Sequence, residues 1–194
     1  MDSSEVLLSI GVGLALAAAA GLRVFVPLLV LGCAARLGWV PLSNGFEWLA
    51  SGSGLVTLGV ATLLEIGAYY IPWVDNLLDL VAGPLAVLAG ILATAAVITD
   101  LPMSLRWAIS ILAGGGTAAA VQGLTSLTRL KSTATTAGAA NPILSTLELF
   151  GSLATSIIAV AVPILAIVFV IGLVLLFRRI ARGLVRRARV IRTP

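Results

Sequence analysis

The sequence predicts an all-α fold, a polytopic helical membrane protein with two broken or re-entrant segments. Of its 194 residues, 60% are hydrophobic and only 10% charged, whereas a soluble globular domain carries about 25% charged residues. Mean hydropathy is +1.15. The apolar residues also fall in long runs punctuated by single charges, the pattern of segments that enter a bilayer.

Val6 to Leu22 is the first apolar run, stopped by Arg23. Val24 to Ala35 follows and ends at Arg36, well short of the roughly 20 residues a span needs. Gly21 and Pro27 therefore predict a broken or hairpin arrangement around Arg23. Gly38 to Gly54, with Trp39, Phe46, Trp48 and Leu49, reads as a loop at the membrane interface. Leu55 to Ile71 is the next span; it holds Glu65 and ends in an aromatic belt of Tyr69, Tyr70 and Trp73. Pro72 closes it, and Asp75 is expected to N-cap a helix running to about Thr99.

Leu105 to Leu124 is apolar enough to enter the membrane but contains Gly114-Gly115-Gly116. Each glycine costs a helix about 1 kcal/mol relative to alanine, which fits close backbone packing or a break. Thr125 to Asn141 is rich in Ser, Thr, Ala and Gly and carries Arg129 and Lys131. Such a stretch does not suit lipid, so it forms the second broken segment or lies outside the membrane. Leu149 to Phe177 is the longest run, with a kink expected at Pro163. Ala17 to Leu22 resembles Ala119 to Leu124, as if two broken hairpins faced one site. Residues 1–177 thus read as one transmembrane domain and 178–194 as a basic amphipathic tail. In the tail Ile180, Leu184, Ala188 and Ile191 share one stripe, and Arg178, Arg182, Arg186 and Arg189 another.

Net charge is +4, and seven of the twelve basic residues lie in that tail. The positive-inside bias puts the C-terminus in the cytoplasm, with the tail on anionic lipids of a bacterial cytoplasmic (inner) membrane. If both broken segments return to the side they entered, the Asp75–Asp79 end is cytoplasmic and the N-terminus outside. The start, Met1-Asp2-Ser3-Ser4-Glu5, lacks the basic region of a secretory signal. Nothing beyond the tail supports nucleic-acid binding. Cys33 stands alone and reads as a small buried hydrophobe, and histidine is absent. No zinc motif, phosphate loop or nucleophile elbow appears, so neither an enzyme nor a cofactor is expected.

The ionisable residues inside apolar runs are the site candidates, since each costs roughly 2.5–3.5 kcal/mol at a helix centre. Arg23 suits a phosphate or other anion, which guanidinium holds bidentately, or a structural pair with Glu65. Glu65 lies about 9 Å below Ile71 and can carry a proton or a cation. Asp75 and Asp79 fit a helix start; with Glu65 they form one acidic wall if the chain bends gently at Pro72. Arg129 and Lys131 join Arg23 against an anionic substrate, Glu148 pairs with one of them, and Asn141 closes the hydroxyl-rich stretch. Transport of a small solute, ion or lipid headgroup is the function expected. The alternative is a structural or assembly protein that binds a partner complex. There the charges are locks, and Gly11, Ala15, Ala18 and Leu22 pack on a partner. A homo-oligomer is compatible with either reading.

Gly21-Leu22-Arg23, the stretch Pro72…Asp75-Asn76-Leu77-Leu78-Asp79…Pro84, and Gly123…Asn141-Pro142 together resemble a bacterial membrane family, domain of unknown function 4126. The likeness runs from about Leu7 to about Val174 and leaves the tail outside; Asp75 to Asp79 is its most specific part. It implies a compact helical membrane domain and brings no activity.

Overall fold

Apolar runs in this chain become helices, and no strand occurs among the described residues. The structure, a computed structural model, describes residues 3–166 together with Val168, Ile171, Gly172, Leu175 and Arg179. Of the segment 72–80 it describes only the side chains of Val74 and Leu78. The tail expectation, apart from Arg179, therefore falls outside the described residues. The helices are α1 (Ser3–Ala20), α2 (Phe25–Arg36), α3 (Gly52–Ala68), α4 (Pro72–Val97), α5 (Met103–Thr136) and α6 (Asn141–Ala161).

Successive helices run in opposite directions. At one end of the bundle, Glu5 of α1, Trp39 beyond α2, Asp100 beyond α4 and Pro163 beyond α6 line one cavity of about 450 Å³. At the other end, the start of α2 meets the last turn of α3, and Arg23 meets the first turns of α6. α1, α5 and α6 are long and apolar enough to cross a membrane. With 12 residues, α2 rises about 18 Å, less than a hydrocarbon core of about 30 Å. The break around Arg23 is thus real, and α1 and α2 form a hairpin.

The second expected break is present but shorter than the stretch expected for it: it falls at 137–140, inside Thr125–Asn141. Residues 103–136 are one continuous helix of 34 residues, and only 137–140 interrupt the chain before α6. Ala137 and Gly138, both with positive φ, make that turn. The three glycines leave the helix intact because a π turn, Ser110–Gly115, accommodates them. Since α5 traverses the bundle instead of returning, Ser3 and Ala161 lie at the same end and the start of α4 at the opposite one. The condition for an outside N-terminus, that both broken segments return to the side they entered, is therefore not met by α5; the end of the last expected span, at Phe177, lies outside the described residues. Ala17–Leu22 ends a helix while Ala119–Leu124 lies inside one, so the two stretches are not equivalent hairpins. They meet instead: a Cβ on Gly21 would stand 2.7 Å from Ala118 O.

Small residues let α1, α4 and α5 approach closely. A Cβ on Gly90 would stand 2.6 Å from Ala118 Cβ, and one on Gly13 3.0 Å from Thr94 Cα. Thr94 Oγ1 lies 2.8 Å from Gly90 O and 3.1 Å from Gly13 O. Gly11, Ala15 and Ala18 are buried within the chain itself, so that face is filled internally and is not left for a partner. Tight small-residue contact replaces the hydrophobic effect as the force between helices in lipid.

Smaller expectations shift too. α4 begins at Pro72 with Ile71, in extended conformation, as its N-cap; Asp75 is inside the helix because proline is pre-set for its first position. Cys33 is exposed on α2. α6 stops at Val162, just before Pro163, and helical structure resumes at 163–166. The loop after α2 is pinned to the end of α4, with Ser43 N–H donating to Ala96 O at 2.8 Å.

Gly90→Leu should lower stability in detergent by about 1–3 kcal/mol through overpacking. Gly123→Ala, which meets nothing within 4 Å, should be neutral or gain up to about 1 kcal/mol. Thermal melts of both variants check the seam; equal melting temperatures would refute it.

Candidate functional site

A helix that starts inside a membrane leaves its first N–H groups without water to accept them. At the start of α2 these donors are Val24 N and Phe25 N, and both point at Glu65 of α3. The distances are 2.7 Å to Oε1 and 3.1 Å to Oε2. Glu65, 8% exposed, is therefore a cap supplied by a neighbouring helix, where the helix dipole also favours negative charge. The sequence offered it a pairing with Arg23 or a cation; instead, both of its oxygens are taken by backbone.

Arg23, 2% exposed, sits in the break between α1 and α2 and reaches across to α6. Its Nη2 donates to Ser145 O at 2.7 Å and lies 3.5 Å from Glu148 Oε2. Its guanidinium carbon stands 3.9 Å from the centre of the Tyr69 ring, a close cation–π contact. Nε and Nη1 are buried and find no acceptor among the described residues.

Arg129, 3% exposed, comes to the same place from α5. Its Nε donates to Glu148 Oε1 at 3.0 Å, and its Nη2 donates to Ser145 Oγ at 2.8 Å and to Glu148 Oε2. It stands 4.5 Å from the Tyr69 ring centre. Two guanidinium groups thus share one carboxylate, one serine and one aromatic ring, at the meeting point of α3, α5, α6 and the α1–α2 break. Exposed Leu127, Leu130, Ile143 and Leu147 flank it on α5 and α6, so the cluster sits at a level where the outer surface is apolar.

The remaining candidates separate from this centre. Lys131 is exposed and forms no ion pair among the described residues, so Glu148 pairs with Arg129, one of its two expected partners. Asn141 opens α6, buried, and donates through Nδ2 to Thr133 Oγ1 at 3.2 Å. Asp75 and Asp79 lie on α4, their side chains outside the described residues. The gentle bend at Pro72 on which their shared wall with Glu65 depended is absent: the chain reverses at 69–71, and α3 and α4 form a hairpin in place of one bent helix. Between its arms lies an apolar groove of about 320 Å³, lined on α3 by Ala61, Leu64 and Ala68 and on α4 by Leu78, Val81 and Leu85. Val24, Glu65 and Tyr69, immediate neighbours of Arg23, also line it.

Sequence reasoning left Ser145 unnoticed, counted Glu148 only as a partner, and took Tyr69 for an interface residue. A signal for the first two existed: Ser145 and Glu148 are three apart and so share a helix face. No group of three or more metal-ligating side chains occurs among the described residues.

Glu148→Ala should cost about 3–5 kcal/mol, because it strands two buried cations, and Glu148→Ala with Arg129→Met should recover part of that loss. Glu65→Ala should cost about 1–3 kcal/mol through the unsatisfied amides at the start of α2, and Glu65→Gln less, since its oxygen still accepts one bond. Detergent thermal melts read all four; a Glu65→Ala protein as stable as wild type would refute the cap.

A family model described as a domain of unknown function, number 4126, matches residues 10–183, reaching past Val174 into the arginine-rich tail. No curated protein and no solved structure matches the chain.

Proposed function

The chain belongs to that family of unknown function, and we propose from its own geometry that it moves a small anionic solute or a lipid headgroup across a membrane. The observation that carries this is the open edge of Arg23: two N–H-bearing nitrogens, Nε and Nη1, buried with no acceptor among the described residues. A buried, unsatisfied charged donor is costly, and a phosphate or carboxylate oxygen is its natural complement. The groove between α3 and α4 supports the lipid form of the substrate. It offers an apolar trough beside Tyr69 and Glu65, sized for part of an acyl chain, with the anion-binding edge near its inner end.

In this proposal Arg23 and Arg129 bind the anion, and Glu148 keeps the pair from repelling. Glu65 holds the helix break open by capping it, and the chemistry is transfer without catalysis. Asn141 and Lys131 lie toward the turn between α5 and α6, where the anion is released or received. The protein resides in the bacterial inner membrane, as one transmembrane domain with its basic tail on the cytoplasmic anionic leaflet.

A second reading has its own observation. Arg23 and Arg129 converge on Ser145 and Glu148 from separate elements, which is also how a structural lock ties a bundle. Proteoliposomes separate the two, with fluorescent headgroup-labelled phosphatidylglycerol in one set and entrapped phosphate in another. Wild type should speed the movement of one probe, and Arg23→Gln should slow it by about tenfold or more, the loss of one or two charge-assisted bonds, while melting only slightly lower. Wild-type vesicles that leave both probes at the protein-free rate would sink transport. A large fall in melting temperature for Arg23→Gln would then mark the lock.

A further inference from the structure

At the end of the bundle away from Arg23, a third buried arginine has no hydrogen-bond acceptor for its Nε among the described residues. This residue, Arg106, stands in the first turns of α5 and is 9% exposed. The contact recorded for its guanidinium is with the Phe46 ring, whose centre is 6.0 Å away, the outer limit of a cation–π interaction. Arg106 lines a cavity of about 530 Å³ together with Ser43, Asn44, Gly45 and Thr99.

The polar groups around this cavity are mostly engaged elsewhere. Asp100 accepts from Thr99 Oγ1 at 2.9 Å and lines the adjoining cavity. Glu47 accepts from Gly45 N at 2.8 Å. Ser43 Oγ donates to Ala95 O at 2.7 Å, which fixes the loop against α4. No carboxylate lies within ion-pair distance of Arg106 among the described residues, and Asn44, exposed on the loop, keeps its amide uncommitted. The exposed Trp39 and Trp48 at this end are the residue type that gathers at the headgroup level of a bilayer.

The geometry points to a second anion site, separate from Arg23, in which Arg106 and Asn44 hold a phosphate group. The guanidinium supplies the charge and a planar pair of donors, the amide a further donor, and the loop pinned by Ser43 the wall. Free inorganic phosphate and the phosphate of a lipid headgroup share this chemistry.

Full-length protein in maltoside micelles tests it with two probes, inorganic phosphate and phosphatidic acid, on wild type, Arg106→Gln, Arg106→Lys, Asn44→Ala and Arg23→Gln. Native mass spectrometry counts bound phosphatidic acid, and thermal melts read phosphate. The expected result is that Arg106→Gln weakens binding by about tenfold or more, Asn44→Ala weakens it less, Arg106→Lys retains part, and the Arg23→Gln protein keeps this site. Stabilisation by phosphate alone identifies the free anion as ligand; binding seen only with phosphatidic acid identifies the headgroup. Should Arg106→Gln fail to fold, Asn44→Ala, an exposed loop change, decides in its place. Equal binding of both probes by wild type, Asn44→Ala and every folded Arg106 variant would overturn the site.

Discussion

A helix that begins within a low-dielectric medium must find acceptors for its first amides, and the rest of this fold is arranged around that demand at the start of α2. Glu65 meets it with both carboxylate oxygens. Because the cap comes from α3, two side-chain-to-backbone hydrogen bonds tie the hairpin of α1 and α2 to the hairpin of α3 and α4. The break that this allows presents Arg23 sideways, toward α6. Without the cap, continuing α1 through Arg23 would be the cheaper course for the backbone, and Arg23 would sit on a lipid-facing helix surface.

The second organising fact is an inequality of charge. Among the described side chains at the cluster, Arg23 and Arg129 share one carboxylate by direct contact, Glu148, while Glu65 gives its oxygens to the start of α2 and acts on Arg23 only through space. Glu148 is 11% exposed at its side chain against 2% and 3% for the arginines, so the burden of burial falls on the cations. A buried bridge gains most when each donor has its acceptor, and two nitrogens of Arg23 have none among the described residues. The same imbalance recurs at Arg106, where it has no carboxylate to soften it.

Helical class, the break at Arg23 and the importance of that arginine were legible because they follow from local facts: run length, a charge inside the run, and a nearby glycine. The pairing of Arg129 with Glu148 was half legible, since both are charges in apolar surroundings, but choosing between Arg129 and Lys131 required the phase of α5. Glu65 was legible as buried and illegible as a cap, because capping from a different helix leaves no mark at fixed spacing. The gentle bend at Pro72 failed for a related reason. Proline at 72 fits equally a bend and a fresh helix start, and only the extended Ile71 decides for a reversal. Arg106 went unnoticed because Pro102 and Met103 make it look like an ordinary residue at the mouth of a span. Gly114 to Gly116 read as a weak point, whereas Gly114 packs against Gly90 and Thr94.

The π turn at Ser110–Gly115 amounts to one residue more than an α-helix of the same height would use. Each residue advances an α-helix by about 100°, so the turn absorbs that angle, and the residues beyond it face where a regular α-helix with one residue fewer would put them. Arg106 lies before the turn and Arg129 after it. The turn is therefore a phase setting. Were the same chain to run through here as regular α-helix, Arg129 would be turned by about 100° relative to Arg106 and off the Tyr69 ring. A chain one residue shorter here closes to a regular α-helix and leaves both where they are. Insertions and deletions in a transmembrane helix are usually judged by how far they shift its ends. In α5 the angular consequence outweighs the axial one, and the six-residue turn is the place where the two arginine centres are brought into, or out of, common alignment.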